Sequence, residues 1–449
     1  MSRMMDAMEN TLMPIAGKIS GNRYLNAIRD GFALALPLII IGAMFLLIAN
    51  VPITGYPEFM AGIFGANWAD FFTTVFNATM NIMSLFVIYG IANSLANYYE
   101  VDGLSSGAIS FAAFLVITPL NMMFTPTGME ESFAVSGVIP FEWIGSKGLF
   151  VAILTAILTV EVIRFVVKKG WVIKMPEGVP PTVAKSFSAL IPATIVMVIF
   201  GLIRLLFTFT SFETVHGFIF TVLQQPLTIA SKGLGASLIA NLFISLFWVF
   251  GIHGANIVGA VMSPIWISLS GENLKAFEAG VAGTDLPNIV TQQFQEIYLQ
   301  LGGSGCTFAL CIAMLLFSKS QQSKQLGRLA LLPGLFNINE PITFGLPIVL
   351  NPIMMIPFIL TPMVLSVVCY FAIRTGLVPR PSGVIIPWTT PPIIGGFLIA
   401  GIRGALLQVV SIIISFFIYF PFFKVVDNQY YKQEQEFENE GAGGATTTM

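Results

Sequence analysis

Charge is what this sequence most lacks. Only 10% of its 449 residues are Asp, Glu, Lys or Arg, where a soluble chain carries about a quarter. Against that scarcity stand 55% hydrophobic residues and a mean hydropathy of +0.83. A water-soluble globular fold is excluded, and a polytopic membrane protein is implied. Cysteine is equally sparse. Cys306, Cys311 and Cys369 sit in apolar stretches, without the paired spacing of a disulfide framework or a metal site. They are expected to be ordinary small core residues, with no metal and no cofactor implied. Long basic runs are missing, so nucleic acid is not an expected partner, and the net charge of −2 points to no other. The first thirty residues hold no compact apolar core of the signal-peptide kind, which leaves the first span to act as the insertion signal. No sequence repeat relates the two halves, so an inverted-repeat architecture has no support.

What is present is a series of apolar runs. Residues 4–29 mix Met, Leu and Ile with Asp6, Glu9, Lys18, Arg23 and Arg29, which predicts an amphipathic helix at the membrane interface. Spans follow at about 31–50, 76–98, 108–124, 149–167 and 187–207, each near the ~20 residues a bilayer requires. Residues 1–210 form an N-terminal transmembrane half, and 211–232 a connecting amphipathic helix on which Glu213 and His216 are expected to be solvated. A C-terminal half, 233–425, adds spans at about 234–252, 255–269, 302–317, 352–373 and 405–423. A long polar connection, 270–300, and a basic stretch from Lys319 to Arg328 lie between them. The tail 426–449 is acidic and Gly/Thr-rich, and is expected to be disordered and dispensable for transport from Glu434 onward.

The predicted fold is all-α, with about ten transmembrane helices and two re-entrant hairpins in the C-terminal half. An even count puts both termini on one side, and Arg3, Lys18, Arg23, Arg29, Lys168, Lys169, Lys319, Lys324 and Lys424 then all face the cytoplasm, as the positive-inside rule requires. Arg204, Lys232, Lys275, Arg374, Arg380 and Arg403 are the exceptions.

The hairpins, near 329–350 and 378–396, are where chemistry is expected. Pro333, Gly334, Pro341, Gly345 and Pro347 break the first into pieces too short for a plain span. Irregular backbone at membrane depth survives only where protein buries it or water lines it. Glu340 is the one ionisable group in that run. A carboxylate at such depth is costly, so it should face a cavity, and Asn337 and Asn339 beside it suit a hydroxyl-rich ligand. The alternative role for Glu340 is a structural partner, although no basic residue lies near it in sequence to neutralise it.

His253, flanked by Gly251 and Gly254, is the second candidate. A neutral imidazole can donate and accept, but the same residue could instead be bonded to a neighbouring helix or rest at the interface. Trp248 and Trp388 offer flat faces to a sugar or belong to the interfacial belt; Trp388 lies in a broken segment, which favours a ligand. The Gly302-Gly303-Ser304-Gly305 opening could cradle a phosphate or let helices approach closely, and packing is the default reading.

Taken together, Gly251-Ile252-His253-Gly254, Leu301-Gly302-Gly303-Ser304-Gly305, Asn339-Glu340-Pro341, Trp171-Val172-Ile173-Lys174-Met175-Pro176 and Ser186-Phe187-Ser188-Ala189-Leu190-Ile191-Pro192 resemble, in order, an enzyme IIC membrane component of the bacterial sugar phosphotransferase system. The resemblance is to the lactose/cellobiose/diacetylchitobiose family and covers nearly the whole chain. It implies a homodimer in the bacterial inner membrane, in contact with lipid, its first five spans making most of the dimer contact. A disaccharide would be carried inward and phosphorylated on its 6-hydroxyl by a phosphocysteine on a separate cytoplasmic IIB protein. The chain would thus be the membrane subunit of a phosphoenolpyruvate-dependent phosphotransferase, active only with IIB and IIA; no IIA or IIB domain is apparent in it.

Carried over by motif, Glu340 and His253 would lie close to that hydroxyl. Asn339, Trp248 and Gly254 would line the site and Trp388 would stack on the sugar, with base and positioner unassigned. Substrates of the cellobiose or diacetylchitobiose kind come first, and lactose second. The rival reading is an ion-coupled secondary transporter in which Glu340 and His253 carry protons. A channel is disfavoured, since no ring of repeated polar positions is evident.

Overall fold

The computed structural model describes Lys18 and residues 21–49, 55–125, 131–176, 178–346, 348 and 351–444. Its apolar runs are helices, because a helix closes its own backbone hydrogen bonds where lipid offers none. Among the described residues seven helices are long and apolar enough to cross a membrane, or eight if one bent pair counts as a single span; Gly103–Ile117 and Phe308–Phe317 are apolar but shorter. The helices used below are α1 (Arg23–Ala49), α2 (Met83–Tyr98), α3 (Gly103–Ile117), α4 (Leu149–Lys168), α5 (Leu190–Phe207), α6 (Leu234–Val249), α7 (Gly254–Glu278), α8 (Phe308–Phe317), α9 (Gln321–Leu335), α10 (Glu340–Gly345), α11 (Pro352–Arg374) and α12 (Ile394–Gly444). A two-stranded antiparallel ribbon, Asn121–Phe124 with Phe133–Ser136, lies between α3 and α4.

The chain divides into two units. One comprises Gly17–Ala230 and Gly259–Gly271, and the other Ser231–Val258 with the described residues from Glu272 onward. In the first unit α1 crosses α2 so closely that a Cβ on Gly90 would come within 2.8 Å of the Gly31 Cα, the small-residue contact that lets membrane helices approach. The Asp102 carboxylate caps α3 by accepting from the Ser105 N–H at 2.9 Å, and the Ser105 side chain, with that bond and Lys185 at 3.3 Å, holds its carboxyl below the usual range.

Several sequence expectations need correction here. Residues 23–29, expected to end an interfacial helix, instead begin α1; 1–17, 19 and 20 lie outside the described residues. The connecting segment is not a solvated surface helix. Thr214 caps a helix that buries His216 to 1% exposure, with its Nε2 at 3.1 Å from the Thr118 hydroxyl and its ring 5.3 Å from those of Phe114 and Trp143. This packing places residues 211–230 with the first unit. Glu213, by contrast, is exposed as expected, in left-handed backbone at φ 59°.

Helix α7 runs on through Pro264 to Glu278, well past the expected end at 269. The basic stretch is helical from Gln321, with Ser320 as its cap, and continuous with the first arm of the hairpin, as α9. Helix α12, broken at Ala400 and Gly401, continues to Gly444, so the tail expected to be disordered from 426 is helical over most of its length. Some basic exceptions to the charge rule have local partners. Arg204 donates to the carbonyls of Val116 and Thr118 at the end of α3, and Lys232 pairs with Glu272 at 3.1 Å.

Candidate functional site

Two helix ends in the second unit are built alike. At the end of α6, the Ile252 N–H donates to the Phe247 carbonyl at 2.9 Å and the Gly251 N–H to that of Trp248 at 2.9 Å, with Gly251 at φ 76°. At the end of α9, the Ile338 N–H donates to the Pro333 carbonyl at 3.0 Å and the Asn337 N–H to that of Gly334 at 3.1 Å, with Asn337 at φ 62°. This is the left-handed cap that stops a helix while satisfying its last carbonyls. The chain then turns straight into another helix, and each candidate ionisable group sits at the start of that helix. His253 is the N-cap of α7, and Glu340 is the first residue of α10.

The two corners meet. His253 Nε2 lies 3.9 Å from Glu340 Oε1, and both side chains remain accessible at 42% and 47%. The Asn256 N–H donates to His253 Nδ1 at 3.2 Å, which places the imidazole proton on Nε2, the nitrogen facing the carboxylate. The gap is wider than a hydrogen bond. It suits a hydroxyl oxygen that accepts from Nε2–H and donates to the carboxylate.

Asn337, 6% exposed, fixes the second corner. Its Nδ2 donates to the carbonyls of Trp388 at 2.6 Å and Thr390 at 3.0 Å, and its Oδ1 accepts from the Gly302 N–H at 2.9 Å. Both Pro/Gly-broken segments and the glycine loop are thereby tied through one amide. Asn339 is 4% exposed and donates to the Ser304 carbonyl at 2.9 Å. The glycines of that loop have a packing reason. A Cβ on Gly303 (φ 89°) would lie 2.8 Å from the Asn337 carbonyl oxygen, and one on Gly305 (φ 80°) 2.4 Å from the Phe358 ring. Packing gives a reason for each of Gly302, Gly303 and Gly305.

The remaining candidates separate. Trp388 is 38% exposed. Trp248 is 2% exposed and packs beneath the imidazole with ring centroids 4.5 Å apart and Phe344 at 6.3 Å, so it supports His253 instead of offering a free face. Among the described residues its indole N–H has no hydrogen-bond partner. Gly254 is buried, and a Cβ there would strike the Ile244 carbonyl oxygen at 2.0 Å, so its role is to let α7 start against α6.

Glu296 is a group that the sequence reading passed over. It lies on a π-helical turn, Phe294–Tyr298, where burial pushes its carboxyl up to about 7 and Gln292 Nε2 donates to it at 2.5 Å. The same turn packs under the second broken segment. Gln293 Oε1 accepts from the Ile386 N–H at 3.2 Å, and Gln408 bridges the Ile297 carbonyl to the N–H groups of Ile393 and Gly396. The available signal was the amide-rich run Thr291-Gln292-Gln293-Phe294-Gln295-Glu296 inside a stretch assigned to a polar connection.

Comparison with known proteins agrees across the chain. A family described as "Phosphotransferase system, EIIC" matches residues 29–362. The cellobiose-specific EIIC component of Geobacillus stearothermophilus is 49% identical over 449 residues, covering 100% of this chain and 99% of that one. The lichenan permease IIC component of Bacillus subtilis is 48% identical over 440 residues, 98% of this chain and 97% of its own. The crystal structure of ChbC, the IIC component of the N,N'-diacetylchitobiose-specific phosphotransferase system, superposes with a TM-score of 0.92 at 49% identity, covering 95% of this chain and 99% of that one.

Proposed function

Because the chain belongs to the EIIC family of the sugar phosphotransferase system, we propose that it takes up a disaccharide of the cellobiose or diacetylchitobiose class across the bacterial inner membrane and holds its 6-hydroxyl for phosphorylation. The observation that carries this reading is the 3.9 Å gap between His253 Nε2 and Glu340 Oε1. The hydroxyl oxygen accepts from Nε2–H and donates its proton to the carboxylate. That oxygen attacks the phosphorus of a phosphocysteine on a IIB protein. The O–P bond forms as the S–P bond breaks, the thiolate leaves with the bonding pair, and the proton ends on Glu340. His253 is the donor that orients the hydroxyl, and Glu340 the base.

The donor comes from another polypeptide. All three cysteines are buried, at 0–1% exposure. Trp388 stacks on the sugar, and Glu296 with Gln292 offers further polar groups to its hydroxyls. Asn339 and Gly254 shape the site from behind, and Trp248 seats the imidazole.

Counting the two short apolar helices and the bent pair with the seven longer ones brings the spans to ten. In our reading residues 321–345 and 378–393 are the re-entrant elements, both termini are cytoplasmic, and the first unit contacts lipid and makes the dimer.

The product is the test. Vesicles holding the purified protein, loaded with phosphorylated IIB, should accumulate sugar 6-phosphate without an ion gradient. Accumulation of unmodified sugar, dependent on a gradient, would replace this reading with ion-coupled transport.

A further inference from the structure

The first turn of a helix has backbone N–H groups with no carbonyl before them to accept their hydrogen bonds. At the start of α9 each of these donors has a partner, and most come from the C-terminal helix. The Lys319 N–H donates to Asp427 Oδ2 at 2.8 Å and the Ser320 N–H to Asp427 Oδ1 at 3.2 Å. The Gln321 N–H donates to Glu434 Oε2 at 3.1 Å and the Gln322 N–H to Glu434 Oε1 at 2.9 Å. The Ser320 hydroxyl donates to Glu434 Oε1 at 2.8 Å while its oxygen accepts from the Ser323 N–H at 3.2 Å. Asp427 is fully buried, with Lys424 Nζ at 4.0 Å. Two carboxylates, about two turns apart on α12, thus grip one helix end, and negative charge is favoured there by the helix dipole.

The far end of α9 is the corner that delivers Glu340. We propose that Glu434 is a positioning residue for phosphoryl transfer: by capping the outer end of α9 it fixes the arm that carries Glu340, without touching sugar. The inference rests on the reading of Glu340 as the group that takes the hydroxyl proton. Helix α9 spans roughly 22 Å at ~1.5 Å per residue, with Pro333 in its last turn. Its inner end is pinned by Asn337 to Gly302, Trp388 and Thr390. With Glu434's share of the outer pin removed, Asp427 still holds the Lys319 and Ser320 N–H groups, but the first turn is freed at 321 and 322, and a small tilt about the inner pin changes the distance between Glu340 and His253. A misplacement on the order of 1 Å at a reacting centre can cost ~10²-fold in rate. Trp388, which holds the sugar, is not on α9, so affinity should be spared.

The test uses purified full-length Glu434→Ala and Glu434→Gln, together with one chain ended after Gln433 and one ended after Glu436. Three quantities are measured in each: amide exchange at residues 319–323, sugar affinity, and IIB-dependent turnover. Glu434→Ala and the chain ended after Gln433 should exchange faster at 321 and 322 and lose turnover roughly 10-fold, with affinity held within about two-fold. Glu434→Gln, which keeps an acceptor oxygen, should fall between Ala and wild type. The chain ended after Glu436 should match wild type. Asp427 is buried, and its variant risks misfolding, so Glu434 carries the test. Unchanged exchange, faster exchange with wild-type turnover, or affinity and turnover falling together would each overturn the proposal. Failure of the unaltered protein to phosphorylate sugar would instead overturn the functional reading on which it stands.

Discussion

The corners that carry His253 and Glu340 share a backbone device and differ in what holds them. Both end a helix with a left-handed residue followed by isoleucine, and both start the next helix with an ionisable side chain. At the first corner Gly251 supplies only its conformation, and the support is apolar: the imidazole rests on Trp248. At the second, Asn337 supplies the conformation and also three side-chain hydrogen bonds to segments distant in sequence. A single histidine needs one face and one bond to be set. In the reading proposed above, Glu340 accepts a proton, and such a carboxylate is served by a firmly held site without a counter-charge to quench it, which neutral amide bonds can provide.

The largest effect is expected beneath the first corner. Trp248→Ala empties a buried site and should cost about 3–5 kcal/mol of stability. Thermal unfolding of the detergent-purified protein checks this. Trp388→Ala should instead weaken sugar binding by about 1–3 kcal/mol with the fold intact. Equal stability loss in the two variants would erase the distinction between a supporting and a stacking tryptophan.

Glu340→Gln keeps size and most hydrogen bonding but cannot take up the hydroxyl proton. IIB-dependent phosphorylation should fall by about 10²-fold or more, near 2.7 kcal/mol in barrier, while sugar affinity falls less. Near-normal turnover would reduce Glu340 to scaffolding and leave His253 as the only reactive group of the pair.

Asn337→Gly retains the left-handed turn and deletes the amide. If conformation were all that mattered, glycine would be neutral or better. Because the Gly302 N–H and the carbonyls of Trp388 and Thr390 lose their partner, a loss of about 1–3 kcal/mol in stability is expected. Turnover should drop with it.

Much of this was legible in the sequence. Most of the apolar runs became helices, α4 and α11 within a residue of their expected ends, because lipid leaves the backbone no alternative; 121–124, expected to finish a span, is a strand, and 302–307, expected to begin one, is not helical. The Pro and Gly punctuation around 333–347 marked broken structure, and the scarcity of charge singled out Glu340. Other features depended on neighbours that no local pattern reveals. His216 looked polar and exposed, yet Thr118 and two aromatic rings, remote in sequence, enclose it. The broken segment around Trp388 favoured a ligand there, but that Trp248 is buried beneath the imidazole is visible only in the packing. Glu296 was hidden in a run whose polarity suggested a loop, when the polarity is that of a buried amide network. The tail is acidic and low in apolar residues, which predicts disorder. Two of its carboxylates find helix donors whose need is invisible until α9 is known to begin at Gln321.

The smallest expected effect is also the sharpest test of the comparison. Gly251 is exposed at the tip of the first corner, with φ 76° and no role beyond conformation. Asparagine is the non-glycine residue best able to adopt that conformation, and the second corner already uses it there. Gly251→Asn should therefore leave stability within about 1 kcal/mol of wild type and leave phosphorylation nearly unchanged. Gly251→Val places a β-branched side chain in the same backbone and should cost about 1–2 kcal/mol, with His253 displaced as the cap of α7 yields. Unfolding temperature and IIB-dependent turnover, measured on both variants, check the pair. If asparagine proves as damaging as valine, something other than backbone conformation is being read at Gly251, and the two corners are less alike than their hydrogen bonds indicate.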